Sequence, residues 1–398
     1  MDKVGETVLV VGGSGFLGQH IIKLLIQEQE KLGIKEIRTV DLKPYENRIG
    51  HRESKDLISF VGDICKPETI EKAFIGVDCV FHCAAYISIQ FPPNFDELER
   101  VNVIGTKNII EICLKHNVPR LIYTSSASVA FTPYKGVNTF AIAINQTESK
   151  AVTPEIDLQK STRENDKKFL IPGYAASKLR AERVVLNSSG AKLNNGKDYL
   201  QTVALRPPLT YGEGDPHFMP ACFEYLSKHN MQFPRISGAG GKQQLIYAGN
   251  SAWGHICAYK TLKSQPKKIA GLPIFITDDT PVHDVSRFIQ RVGRETESLR
   301  FHQSWWSTPH FLFYFLAFLF EMVVKLLQPI LGTTLKYSPR ALSSYTASVM
   351  MFNRLRADIH LDYEPLVDEK KALMLSAGWY EKWWQENITS KRGKRCKQ

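Results

Sequence analysis

The sequence predicts a doubly wound parallel α/β sheet with a smaller C-terminal substrate lobe and a membrane-associating helix. Three observations in the 398 residues predict it: a glycine-rich turn between an apolar run and an apolar helix near the start, a strand-helix alternation reaching about residue 210, and an apolar stretch near residue 315.

Thr7 to Val11 is short, apolar and rich in β-branched residues, and Phe16 to Ile26 repeats its apolar residues at helical spacing. Between them stands Gly12-Gly13-Ser14-Gly15-Phe16-Leu17-Gly18. Glycines at 12 and 15 let the backbone turn and approach a pyrophosphate, the helix start supplies N–H donors, and Gly18 lets helix and strand pack closely. A second strand, Glu36 to Val40, ends in Asp41, 23 residues beyond Gly18, where a carboxylate can bond both adenosine ribose hydroxyls and repel a 2′-phosphate. That selects NAD over NADP. Further strands are expected at Leu57 to Val61, Cys79 to Cys83 and Leu121 to Thr124; Asp63, just past the third strand, either reaches the adenine amino group or caps the next turn.

The chemistry gathers later. Thr124 to Ser126 closes an apolar strand, and ligands sit at the C-terminal edge of parallel sheets. In Tyr174-Ala-Ala-Ser-Lys178 the phenol and the amine are four residues apart and share a helix face. An ammonium one turn from a phenol is expected to lower its pKa, and Ser126 can hold the substrate oxygen while Tyr174 exchanges its proton. His217, His255 and His283 lack metal-ligand spacing, so no metal is expected.

Together the glycine loop, His82-Cys83-Ala84-Ala85, Asn102-Val-Ile-Gly-Thr106, Thr124-Ser125-Ser126, Tyr174/Lys178 and Leu205-Arg206-Pro207 resemble the extended short-chain dehydrogenase/reductases. Within them, Tyr247 to His255, Phe275-Ile-Thr-Asp-Asp-Thr-Pro281, the aromatic run after Pro309 and Tyr363 to Val367 resemble the 3β-hydroxysteroid dehydrogenase/Δ5-Δ4 isomerase family, from about Thr7 to beyond Trp384. The resemblance implies Ser126, Tyr174 and Lys178 as the catalytic set, and a cofactor set of Gly12, Gly15, Phe16, Leu17, Gly18, Asp41, Asp63, Ala84, Ser125, Lys178 and Pro207. Asn102 is a weaker member, alternatively a brace for its helix. The implied reaction is hydride transfer from a 3β-hydroxysteroid or sterol to NAD. Sterol-4-carboxylate 3-dehydrogenation is the near alternative, and a non-catalytic NAD-sensing protein the distant one.

Two departures qualify the resemblance. Between Ser126 and Tyr174 lie 47 residues, and the polar stretch 138–168 reads as a surface insertion. Where the family's isomerase would place a phenol beside its aspartate, this chain has Ile274 and Phe275 before Asp278 and Asp279. Dehydrogenase without efficient isomerase is expected.

The remaining organisation follows from composition. Residues 1–210 form the dinucleotide domain and 211–300 a substrate lobe, whose His217, Phe218, Phe223, Tyr225 and Phe233 line a steroid pocket or simply its core. Residues 309–331 form a membrane-associating helix, 332–390 a helical region and 391–398 a basic tail. In the apolar helix Glu321 and Lys325 cost roughly 2.5 to 3.5 kcal/mol each at a bilayer centre, about balancing the apolar gain. The two are an i, i+4 pair. A helix lying along one leaflet is therefore favoured over a span. The net charge of +11 owes much to Lys391, Arg392, Lys394, Arg395 and Lys397, and no Arg/Lys stripe interleaved with aromatics suggests nucleic acid. Seven cysteines without a C-x-x-C pair indicate a reducing compartment, no secretory signal is expected, and the N-x-S/T sites at Asn145, Asn187 and Asn387 read as chance matches. The family implies an endoplasmic reticulum membrane with the catalytic domain facing the cytoplasm, or a mitochondrial membrane; a homodimer is left open.

Overall fold

The computed structural model describes residues 5–135, 137–150, 153–237 and 241–389. The basic tail and Cys396 lie outside them. Seven parallel strands make the central sheet: β1 (Glu6–Val11), β2 (Ile34–Asp41), β3 (Leu57–Val61), β4 (Cys79–His82), β5 (Arg120–Thr124), β6 (Gln201–Arg206) and β7 (Leu272–Phe275). Their order is β7-β6-β5-β4-β1-β2-β3, so the chain reverses its winding beside β1. In sheets of this kind the ligand crevice lies at such a reversal, at the C-terminal edge of the strands.

Strand β1 shows why the sheet forms. Its side chains alternate, and both faces are buried, as a parallel sheet requires. Val8 and Val10 join Ile21, Ile22 and Leu25 of helix α1 (Phe16–Gln27) and Ile256 and Tyr259 of helix α4 (Ala248–Ser264). Leu9 and Val11 join Phe74 with Ile109 and Cys113 of helix α2 (Gly105–Lys115) on the other face. Helix α3 (Tyr174–Asn187) covers that second face too, through Ala181 and Val185. Truncating Leu9 or Leu25 to alanine would cost about 2–5 kcal/mol.

The 138–168 stretch is not a plain surface loop. Ile142–Gln146 pairs in parallel with Val349–Phe352, which pairs with Lys242–Gln243 in a second, three-stranded sheet. Thr162–Asn165 is a short helix with a Ser161/Glu164 capping box, and Thr162 and Asn165 are buried. Polar composition concealed this because the segment spends its polar groups on caps. Thr162 N and Oγ1 donate to Glu99, whose carboxylate also accepts from the buried Arg180 of α3.

In the lobe, Phe223 is a core residue rather than a pocket wall. Its ring lies 5.5 Å from Tyr380 and 6.1 Å from Trp384, both on helix α7 (Glu369–Trp384). Helix α5 (His310–Leu331) is the long apolar helix, and helix α6 (Pro339–Ala347) folds back against it. Most of α5 is uncovered: Phe311 is 75% exposed and Ile330 80%, and Trp305, just before the helix, is 85% exposed. Glu321 departs from expectation. It is 1% exposed and does not pair with Lys325; its oxygens accept from Ser338 Oγ at 2.6 Å and from Arg340 N and Nε at 3.1 and 2.5 Å. The carboxylate caps α6, where unpaired N–H groups favour an anion. Ser338 N in turn donates to Ile89 O at 2.7 Å, and Phe91 and Leu335 exchange main-chain bonds of 2.9 and 2.7 Å. The hairpin's middle is thereby fastened to the loop that leaves β4.

Candidate active site

The crevice beside β1 has a floor of main chain. Gly12 has φ +87°, and an added Cβ would stand 2.6 Å from Ala84 N, so only glycine fits. Gly18 packs on the same turn, where a Cβ would lie 2.7 Å from Gly13 Cα. Gly15 caps α1 with no side-chain bond to the first turn, so the N–H groups of Phe16 and Leu17 stay available to an anion. Asp41 ends β2 beside this turn; its oxygens accept from Ser14 N at 3.0 Å and Leu42 N at 2.7 Å. Glycine loop, Ala84 and Asp41 therefore meet as expected.

Asp63 is committed elsewhere. One oxygen accepts from Cys65 N at 2.9 Å, closing the turn, and the other lies 3.4 Å from Arg100. Of its two expected roles, the structure displays the cap. Asn102 braces: its amide bonds Tyr86 N and O and donates to Ser177 Oγ of α3 at 2.9 Å.

The residues expected to be catalytic come together where β5 ends and α3 begins. Ser126 begins a 3-10 turn, Ala127–Ala130; its Oγ accepts from Ser128 N at 3.1 Å and its hydroxyl is directed to the Tyr174 phenol. Pro207, at the end of β6, accepts from Ala127 N at 2.9 Å and holds that turn. Tyr174 opens α3 after Gly173, whose φ of +75° gives the chain the bend it needs to enter the helix. Lys178 follows one turn later; its Nζ donates to Thr124 O at 2.6 Å and sits 4.4 Å from the centre of the Tyr123 ring.

Burial acts on both groups. It pushes the Tyr174 phenol up to about 12, against the pull of Ser126, and pushes the Lys178 amine down to about 7. The expectation that Lys178 lowers Tyr174 is not met in this geometry. Burial of the phenol outweighs the one pull that acts on it, from Ser126, and the Lys178 amine donates to the Thr124 carbonyl. Ser125 also departs from expectation: its hydroxyl donates to Glu182 Oε2 at 2.6 Å in the layer beneath the crevice.

Glu182 was missed by sequence reasoning. It lies one turn beyond Lys178 on the same face, fully buried, and Arg206 grips it with Nε at 2.8 Å and Nη2 at 2.5 Å. A signal existed in Thr-Val-Ala-Leu-Arg206: an arginine ending a strand this apolar needs a buried carboxylate. The acids of the F-I-T-D-D stretch are also occupied. Asp278 is buried and accepts from Tyr247 N and Asn250 Nδ2, both at 2.9 Å, and Thr280 N at 3.0 Å, while Asp279 is exposed and paired with Arg354 at 2.7 Å. Ile274 and Phe275 are fully buried core. Among the described residues no cluster of His, Cys, Asp and Glu could hold a metal.

A doubly wound sheet with this glycine turn, a Ser126 turn and Tyr174/Lys178 at its C-terminal edge defines an oxidoreductase of the extended short-chain dehydrogenase/reductase class. Its overall form is shared with epimerase Mth375 from Methanothermobacter thermautotrophicus (TM-score 0.65, 18% identity, 96% of this chain and 94% of that one). It is shared also with Thermus thermophilus UDP-glucose 4-epimerase in complex with NAD (0.59, 19%, 94% and 98%) and Bacillus anthracis dTDP-glucose 4,6-dehydratase in complex with NAD (0.60, 15%, 96% and 98%). At these identities the likeness concerns the fold. The chain belongs to the 3-beta hydroxysteroid dehydrogenase/isomerase family, whose model matches residues 9–304.

Proposed function

We propose that the protein oxidises the 3β-hydroxyl of a steroid or sterol to the 3-ketone, with NAD as cofactor, while α5 lies along one leaflet of a membrane. The observation that carries the reading is the main-chain pairing of residues 89–91 with 335–338, which joins the catalytic edge to an uncovered apolar helix. An apolar substrate dissolved in the bilayer would thus meet the crevice at its mouth.

The residues present fit the dinucleotide. The Gly12–Gly18 turn and the first N–H groups of α1 would hold its pyrophosphate, Asp41 its adenosine ribose, and the Asp41 carboxylate disfavours a 2′-phosphate, so the cofactor is NAD. Bound NAD supplies the hydride acceptor. Ser126 donates a hydrogen bond to the C3 oxygen and orients it, Tyr174 as the phenolate takes the proton that leaves that oxygen and becomes the phenol, and Lys178, one helical turn along, supplies positive charge that favours the phenolate beforehand. The hydrogen bonds that Asp278 makes and the pairing of Asp279 with Arg354 engage these two acids elsewhere, which supports a dehydrogenase lacking an efficient isomerase step.

Helix α5 has 22 residues, about 33 Å, close to the roughly 30 Å of a hydrocarbon core. A span would nevertheless drag Arg340, Ser338 and the attached loop to the bilayer centre, because Glu321 holds them at mid-helix. Lying in one leaflet keeps that ion pair on the protein side and puts the exposed Trp305 and Trp306 at headgroup depth. The same reading puts the catalytic domain on the cytoplasmic side of the endoplasmic reticulum membrane, with a mitochondrial membrane as the other compartment to examine.

The test offers the purified protein, in mild detergent, a panel of 3β-hydroxysteroids and sterols with NAD and then NADP. NADH formation with at least one, weak use of NADP and slow appearance of a conjugated 4-ene-3-ketone are expected. CO₂ release from 4-carboxysterols alone would instead identify the decarboxylating reaction, and conjugated ketone appearing as fast as NADH would overturn the isomerase statement.

A further inference from the structure

The Lys178 ammonium has one hydrogen-bond partner among the described residues, the Thr124 carbonyl at 2.6 Å. Where that carbonyl points decides where the amine stands. The same peptide unit is tied through Ser125 N to Leu205 O at 2.7 Å, and Ser125 Oγ is tied to Glu182. Successive side chains of a strand face opposite sides, so Thr124 looks away from Glu182, towards α4. There its Oγ1 lies 2.8 Å from His255 Nε2, and His255 Nδ1 lies 2.8 Å from Ser251 O.

Proton counting fixes the direction of this chain. A carbonyl only accepts, so Nδ1 carries the hydrogen; burial holds the ring neutral, its pKa pushed down to about 4, so Nε2 is a bare lone pair. The Thr124 hydroxyl therefore donates to His255. Its proton is committed, and the side chain cannot rotate without stranding a buried ring nitrogen.

We propose that His255 is a positioning residue for the reaction: through the Thr124 hydroxyl it fixes the carbonyl that holds Lys178 at the crevice, although it lies on α4, across the sheet from the catalytic helix. This rests on the reading of Tyr174 and Lys178 as the catalytic pair. The other titratable groups facing Lys178 are His82 and Cys83 from the end of β4, Tyr123 from β5, and Tyr174 and Glu182 from α3. All keep their side chains when His255 or Thr124 is changed; Cys83 Sγ, which lies 3.3 Å from Thr124 Oγ1, loses that contact only in Thr124→Val.

The test compares full-length wild type with His255→Leu, Thr124→Val and His255→Gln, whose Oε1 can take the place of Nε2. Two readouts are taken: steady-state turnover, and competitive acetylation of Lys178 by acetic anhydride against pH in the NAD-free protein, mapped by mass spectrometry. His255→Leu and Thr124→Val are each expected to lower kcat about tenfold with little change in steroid KM, and the double variant to be no worse than either single one. The Lys178 acetylation profile shifts along the pH axis in both, and His255→Gln restores rate and profile together. A melting temperature that falls while rate and acetylation profile stay unchanged would reduce His255 to a core residue and overturn the proposal. If His255→Leu does not fold, His255→Gln and Thr124→Val decide: a rate and profile kept in His255→Gln but shifted in Thr124→Val and in Thr124→Val with Cys83→Ala support the proposal, and a shift that Cys83→Ala reproduces by itself overturns it. Should the wild type oxidise no 3β-hydroxysteroid, the functional reading fails, and the acetylation profiles still decide whether His255 positions Lys178.

Discussion

The crevice beside β1 and the α5–α6 hairpin are both built around buried ion pairs, yet they use them in opposite ways. Under the crevice, Glu182 and Arg206 are sealed on all sides and serve a surface that must not move. In the hairpin, Glu321 is sealed but Arg340 is about one-third exposed, and the pair fastens a helix whose outer face is left bare. Rigid geometry at one end and unsatisfied apolar surface at the other are what a soluble cofactor and a lipid-dissolved substrate would respectively demand.

That contrast can be broken at the catalytic end first. Replacing Tyr174 with phenylalanine removes one hydroxyl and should lower kcat by about 10²–10⁴-fold, with NAD affinity measured by fluorescence titration left unchanged. Equal loss of NAD binding would mean that the phenol serves the cofactor and not the proton. At the hairpin, Trp305→Ala with Trp306→Ala should weaken partition into lipid vesicles by roughly tenfold and leave the melting temperature alone. Glu321→Gln should do the reverse, lowering the melting temperature by on the order of 2–4 °C per kcal/mol lost with little change in partition. Were Glu321→Gln to abolish vesicle binding without loss of stability, the carboxylate would be part of the lipid face.

The smallest effect is expected at Asp166, which accepts from Gly173 N at the entrance of α3. Burial raises this carboxyl to about 6, against the Gly173 bond. The native state therefore holds the proton more firmly than the unfolded chain. Its contribution to stability is complete at acid pH and is lost as pH rises through about 6. Asp166→Asn should melt slightly above wild type at pH 8, with the gap closing below about pH 4, as followed by thermal scans across pH.

How legible each region is in sequence follows from the same physics. The glycine turn and Tyr174/Lys178 could be read because each depends on residues close in the chain, where spacing dictates geometry, and Asp41 because it ends the strand that follows the glycine-turn helix in a βαβ unit. Glu182 with Arg206, and His255 with Thr124, join residues 24 and 131 positions apart, and no local period announces such pairs. Glu321 was misread for the same reason: Lys325 is the obvious neighbour on the helix, but Arg340 arrives through the α6 turn. The 138–168 stretch was read as a surface insertion, and most of its described residues are exposed or half-buried; what its polarity hid is the strand Ile142–Gln146 and the buried, bonded Thr162 and Asn165.

The proposal couples proton transfer at Tyr174 to a helix α5 lying in one leaflet. Its most direct test uses phospholipid vesicles carrying a 3β-hydroxysterol, with full-length protein and NAD added outside. NADH should appear with the wild type and be absent with Tyr174→Phe, although both proteins float with the vesicles. Vesicle-bound wild type that takes up NAD and forms no NADH from any 3β-hydroxysterol would contradict it.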